Sequence, residues 1–128
     1  MSVERIKEYH STPQEAAFYM PDLDPEVSWP HRGEIIFDDY ATRYRDGMDL
    51  VLRGVSFKIK PEQKVGIVGR TGAGKSSLTL AIFRIIEAAQ GSICIDGLNI
   101  AQMGLNRLRA ALTIIPQVSM HCDCYVLF

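Results

Sequence analysis

The run VGIVGRTGAGKSSL, from Val65 to Leu78, restricts this chain more than any other stretch. Gly69, Arg70, Thr71, Gly72, Ala73, Gly74, Lys75 and Ser76 fit the pattern G-x-x-x-x-G-K-[ST] without a mismatch. Glycines at this spacing let the backbone curl so that successive N–H groups point inward, at the positive end of the helix that follows. A concavity of that kind suits phosphate oxygens. Lys75 adds a mobile charge for the β and γ phosphates of a nucleoside triphosphate, and Ser76 offers a hydroxyl to a magnesium ion that keeps most of its own water. The competing explanation is a glycine turn that happens to precede a helix. The flanks argue against it, because the apolar KVGIVG enters the loop as a strand and an amphipathic segment leaves it as a helix. Thr71, Ala73 and Ser77 share the turn and are expected to act through their backbone groups.

With 128 residues the chain is long enough for one core. A net charge of -1 supplies no general attraction to nucleic acid or to acidic lipid, so a nucleic-acid partner is not expected. The apolar stretches LTLAIF and TIIP fall far short of the ~20 residues that a membrane-spanning helix needs. The opening MSVERIKEYH lacks the apolar middle of a secretory signal. Three cysteines, Cys94, Cys122 and Cys124, make an odd count without a disulfide framework, in keeping with a reducing cytoplasmic setting.

Val3, Ile6 and Tyr9 recur at helical spacing in residues 1–12, which predicts a short helix whose apolar stripe wants a partner. Residues 13–33 hold Pro13, Pro21, Pro25 and Pro30 and read as an extended linker. EIIFDDYATRYR and DLVLRGVSFKIK read as strands around a turn at Asp46-Gly47, the second with Val51, Arg53, Val55, Phe57 and Ile59 on one face. KVGIVG is continuously apolar, as a central strand covered on both faces is. Ser76 to Glu87 predicts a helix with Leu78, Ile82, Ile85 and Ile86 on its buried stripe and Gly91 as terminator. GSICIDG is a further strand closed by the Asp96-Gly97 turn, and LNRLRAAL a short helix leading into a strand at TIIP. The class is α/β with an antiparallel flank.

The segments WPHRGEIIF, RYRDGMDLVLRGVSF, KVGIVGRTGAGKSSLTLAIFRIIEAAQG, IDGLNIAQMGLNRLR and LTIIPQ together resemble the second nucleotide-binding domain of the subfamily C, multidrug-resistance-associated, ABC transporters. The similarity runs from about Ser2 to Gln117. It implies an ABC-type P-loop NTPase fold, present here as its N-terminal part over residues 34–117, with ATP and magnesium as ligands. Tyr44 stands where that family stacks an aromatic on adenine; read without the resemblance, it is a strand tyrosine packed on its neighbour. Gln117 matches the Gln that reaches magnesium and whose loop leans on the membrane portion. Partners implied are a second nucleotide-binding domain and the coupling helices of the membrane domains, at the cytoplasmic face.

Residues 118–128 depart from the family pattern, which continues into a signature motif and the Walker B strand with its carboxylates. The resemblance therefore implies a piece of a longer pattern that binds nucleotide without efficient hydrolysis, and a central sheet left incomplete beside KVGIVG. Two readings of the tail follow from composition: soft-metal binding by His121, Cys122 and Cys124, or pairing of CYVLF as a makeshift strand. Two further functions remain open, a fragment that docks on an intact transporter and modulates it, and a small P-loop kinase.

Overall fold

The computed structural model describes residues 2–115. Helix α1 (Ser2–His10) is followed by strand β1 (Ile35–Thr42), strand β2 (Leu52–Ile59), helix α2 (Lys75–Ile82), strand β3 (Ala88–Ile95), the two-residue strand β4 (Leu98–Asn99), a 3-10 turn at Ile100–Gln102 and helix α3 (Leu105–Ala110). The strands form one antiparallel sheet in the order β2-β1-β3-β4. Its inward face carries Phe37, Tyr40, Ile93 and Ile95, which pack with Ala81 of α2, Leu108 of α3 and Trp29. Phe37 stacks on its cross-strand partner Phe57 with ring centroids 4.5 Å apart.

A bulge in β1 shapes this sheet. Phe37 and Tyr40 are both buried although three positions separate them, which strict alternation forbids. The extra residue sits at Asp38–Asp39, where Asp39 has a φ of 43° and both ladders shift register. Gly91 in β3, with a φ of 73°, faces the bulge so closely that a Cβ there would collide with the carbonyl oxygens of Asp38 and Asp39. In β2, Gly54 accommodates the same bulge from the other side. Beyond it Tyr40, Ala41 and Thr42 are all buried, so the end of β1 is pulled into the core.

Several expectations are corrected here. KVGIVG joins no ladder; Val65, Ile67 and Val68 are exposed to 48%, 51% and 94%. Strand hydrogen bonds need a neighbour, and among the described residues none runs alongside. Thr113, Ile114 and Ile115 likewise join no ladder among the described residues. In β2, Val55, Phe57 and Ile59 do share the half-buried face, but Gly54 flips the alternation, so Leu52 is buried, Arg53 is exposed and Val51 precedes the strand. Helix α2 stops at Ile82 rather than Glu87. Arg84 takes the left-handed terminating position with a φ of 50°, and Ile85 N–H closes onto the Leu80 carbonyl at 2.9 Å. Gly91 therefore serves the bulge and not the helix end.

Residues 13–33 do not run free. The carbonyls of Ala17 and Phe18 accept from Leu105 and Asn106 N–H at 3.1 and 3.0 Å, capping α3 where no side chain does. Asp24 accepts from Gly104 N–H at 2.6 Å, and Glu15 pairs with Arg109 through two hydrogen bonds of 2.8 and 3.1 Å. That pairing holds the Glu15 carboxyl below the usual carboxylate range. Arg109 also donates to the Phe83 and Arg84 carbonyls, and the buried Arg84 donates to those of Ile100 and Met103. The stripe Val3, Ile6, Tyr9 on α1 is exposed. Gln117 and residues 118–128, including His121, Cys122, Cys124 and CYVLF, lie outside the described residues.

Gly91→Ala is expected to destabilise the fold by about 2 to 4 kcal/mol in urea titration, combining backbone strain with collision. Gly33→Ala, at a φ of 73° with open space around it, is expected to cost only about 1 kcal/mol.

Asp96 generates a second expectation. It accepts backbone N–H bonds from Arg32, Gly33 and Glu34 at 2.8, 3.1 and 2.7 Å. Burial pushes its carboxyl up, yet these donors outweigh that and hold it below the ordinary value. The folded state thus binds the proton less readily than the unfolded chain. The stabilisation is full above the unfolded pKa of about 3.9 and fades as pH falls through it toward the folded value. Asp96→Asn tolerates the same left-handed backbone and is expected to lower stability by about 1 kcal/mol at pH 7 and to flatten the loss between about pH 5 and 3, read from thermal melts.

Candidate functional site

The phosphate loop is held from its helical side. Gly74 precedes α2 with a φ of 86°, and a Cβ there would lie 3.0 Å from Leu52 Cδ2 and 3.4 Å from the Val51 carbonyl oxygen. Glycine lets the loop press against the start of β2. Inside the curl, Ala73 N–H donates to the Arg70 carbonyl at 3.1 Å, and Leu78 N–H donates to that of Gly74 at 3.3 Å. Lys75 folds back so that Nζ donates to the carbonyls of Gly69 and Arg70 at 2.6 and 2.8 Å. The cation thereby closes the loop across its mouth.

An open cleft of about 1230 Å³ lies beside this loop. Thr71, Gly72, Ala73, Gly74, Lys75, Ser76 and Ser77 line it together with Tyr44 and the turn before β2. Gly69 and Arg70 stand outside the lining and contribute their carbonyls to Lys75. The cleft is large enough for a nucleotide. Its wall of curled backbone at a helix start suits phosphate, and the adjoining ring suits a base. Ser76 is exposed at the same wall, where its hydroxyl suits a hard cation; the second expected magnesium contact, Gln117, lies outside the described residues.

Tyr44 follows β1 on a bend, so the alternative of a strand tyrosine does not describe it. It is 49% exposed, and its hydroxyl lies 2.8 Å from Ser77 Oγ. Ser77, which is 2% exposed, therefore uses its side chain, contrary to the expectation that its backbone alone matters. The end of β1 is fixed by Thr42, which donates to the Glu87 carbonyl at 2.6 Å and accepts from Val51 N–H at 2.8 Å. Met48, Asp49, Val51 and Arg53 also line the cleft; Val51 and Arg53 were expected only as strand residues, and none of the four was expected at the site. The turn at Asp46-Gly47 was the available signal, since it folds that stretch back toward the loop.

Residues 52–124 match the family described as ABC transporter. The chain belongs to the ABC transporter family. It is 57% identical over 117 residues to ATP-binding cassette sub-family C member 3 of Homo sapiens, covering 91% of this chain and 8% of that protein. It is 56% identical over 119 residues to Metal resistance protein YCF1 of Saccharomyces cerevisiae (strain ATCC 204508 / S288c), covering 93% and 8%. A solved structure titled "Structure of a bacterial Atm1-family ABC exporter with ATP bound" superimposes with a TM-score of 0.76 at 33% identity, over 90% of this chain and 20% of that one. The chain thus spans less than a tenth of the length of these curated relatives. It is part of the ATP-binding module of this family, subfamily C in its resemblance, with the α/β P-loop fold and an antiparallel flank. Modules of this family use ATP with magnesium.

Proposed function

We propose that this chain grips magnesium ATP as part of the second nucleotide-binding domain of a subfamily C exporter. Backbone N–H groups of the 69–77 loop and the Lys75 ammonium hold the phosphates, Tyr44 stacks on adenine, and Ser76 with Gln117 stands at magnesium, which would neutralise phosphate charge. One observation carries the reading: the fold brings Tyr44 and the phosphate loop, far apart in sequence, to the lining of one cleft. In the parent protein the partners are a second nucleotide-binding domain and the coupling helices of the membrane domains, at the cytoplasmic face, with nucleotide binding energising transport. Among the described residues no helix is long and apolar enough to cross a membrane.

The polypeptide binds better than it reacts. Among the described residues Asp49 is the only carboxylate lining the cleft, and it sits in the connection before β2. Loss of a general base lowers rates by ~10² to 10⁴-fold, and loss of a carboxylate that helps hold magnesium adds to this. A second reading, a fragment that docks on an intact transporter, draws support from the exposed Val65, Ile67 and Val68. Competition between this chain and an intact nucleotide-binding domain for a purified transporter distinguishes it.

In calorimetric titration with magnesium ATP, Lys75→Ala is expected to weaken binding about ten- to a hundredfold and Tyr44→Ala about five- to tenfold. Unchanged affinity in both variants removes the site assignment. In a steady-state phosphate-release assay the wild-type chain is expected to stay near background. A rate matching a complete domain and abolished by Lys75→Ala contradicts that.

A further inference from the structure

The hydrogen bond between Tyr44 Oη and Ser77 Oγ, 2.8 Å long, ties the turn before β2 to the first helical turn of α2 at the edge of the cleft that both residues line. Its two ends differ in freedom. Ser77 is buried at 2% exposure within a helix, whereas Tyr44 is half exposed on a bend with Gly47 three residues on. Among the described residues, Tyr44 takes part in none of the ring-to-ring contacts that lock Phe37, Tyr40 and Phe57. The serine is therefore the anchor and the tyrosine the part that is held.

We infer that Ser77 is a positioning residue for the base end of the nucleotide: its hydroxyl pins the phenol so that the Tyr44 ring keeps a face along the cleft, and the phosphates do not depend on it. This rests on the nucleotide reading of the cleft. A tyrosine ring turns about two side-chain bonds, and fixing its far end removes most of that freedom before a base arrives. Because the anchor belongs to α2, the stacking platform keeps its distance from the phosphate loop that opens the same helix. A ring held at that place relative to the loop then selects a nucleoside triphosphate, with base and phosphates held together, over a bare polyphosphate.

The test titrates the full chain with magnesium ATP and, separately, with magnesium tripolyphosphate, which has no base. Ser77→Ala and Tyr44→Phe are each expected to weaken ATP about three- to tenfold, the double variant to bind no more weakly than the worse single one, and tripolyphosphate affinity to stay within about twofold. Ser77→Thr keeps the hydroxyl and is expected to retain ATP affinity. If Ser77→Ala weakens tripolyphosphate as much as ATP, the hydroxyl serves the phosphates and the inference is overturned. Additive losses, or no loss, overturn it as well. Should Ser77→Ala fail to fold, Tyr44→Phe, which removes one oxygen from a half-exposed ring, carries the same comparison alone. Failure of the underlying reading looks different: Lys75→Ala then leaves both ligands unaffected.

Discussion

The bulge at Asp38–Asp39 is the constraint on which the rest of the arrangement depends. A regular β1 would bury Phe37 and expose Tyr40, and the strand would leave the sheet on the wrong side of α2. The extra residue turns the strand by one position, so Tyr40, Ala41 and Thr42 all enter the core. Thr42 then reaches the Glu87 carbonyl beyond α2 and pairs with Val51 before β2. From that fixed point Tyr44 is only two residues away, and the start of β2 is already pressed against Gly74. The placement of Tyr44 beside the loop thus follows from a strand defect, and glycines on both neighbouring strands make room for it.

What could be read from sequence divides along the same line. The phosphate loop was legible because its chemistry is written in eight contiguous residues, and so was the hairpin turn at Asp96-Gly97, whose φ values of 48° and 80° suit those two residue types. Position-dependent features were not. Gly91 reads as a helix terminator until the bulge it faces, at Asp38–Asp39, is known. Arg84 gives no local sign of ending a helix, since its reason is a set of carbonyls at Ile100 and Met103 far along the chain. Tyr44 was singled out by family resemblance, and its link to Ser77 spans 33 positions that no periodicity connects.

The misread of KVGIVG is of another kind. Its composition is that of a buried strand, and composition reports what a segment would gain by pairing, not whether a neighbour is there. With no ladder among the described residues, Val65, Ile67 and Val68 keep their apolar surface in solvent. The linker behaves differently. Pro-rich composition suggested an extended linker, and within it Glu15, Ala17, Phe18 and Asp24 all bond to α3 or its approach, while Trp29 Nε1 donates to the Ile95 carbonyl at 3.4 Å. Proline restricts local backbone choice and says nothing against docking.

A phosphate loop whose entering segment lies outside the sheet still keeps its curl because its constraints come from the other side. Gly74 is wedged against Val51 and Leu52, α2 continues directly from it, and Lys75 clasps the two carbonyls that open the loop. That clasp has a thermodynamic consequence. An ammonium already satisfied by two carbonyls contributes to phosphate affinity only the difference between the bonds it gives up and those it gains. A doubly charged terminal phosphate wins that exchange over neutral carbonyls, since charge-assisted bonds are about twice as strong as neutral pairs. Gly69 and Arg70 are exposed residues, so water can replace the lost donor at little cost. On the nucleotide reading proposed above, the loop would release its own cation to a triphosphate while the N–H groups around it keep their places.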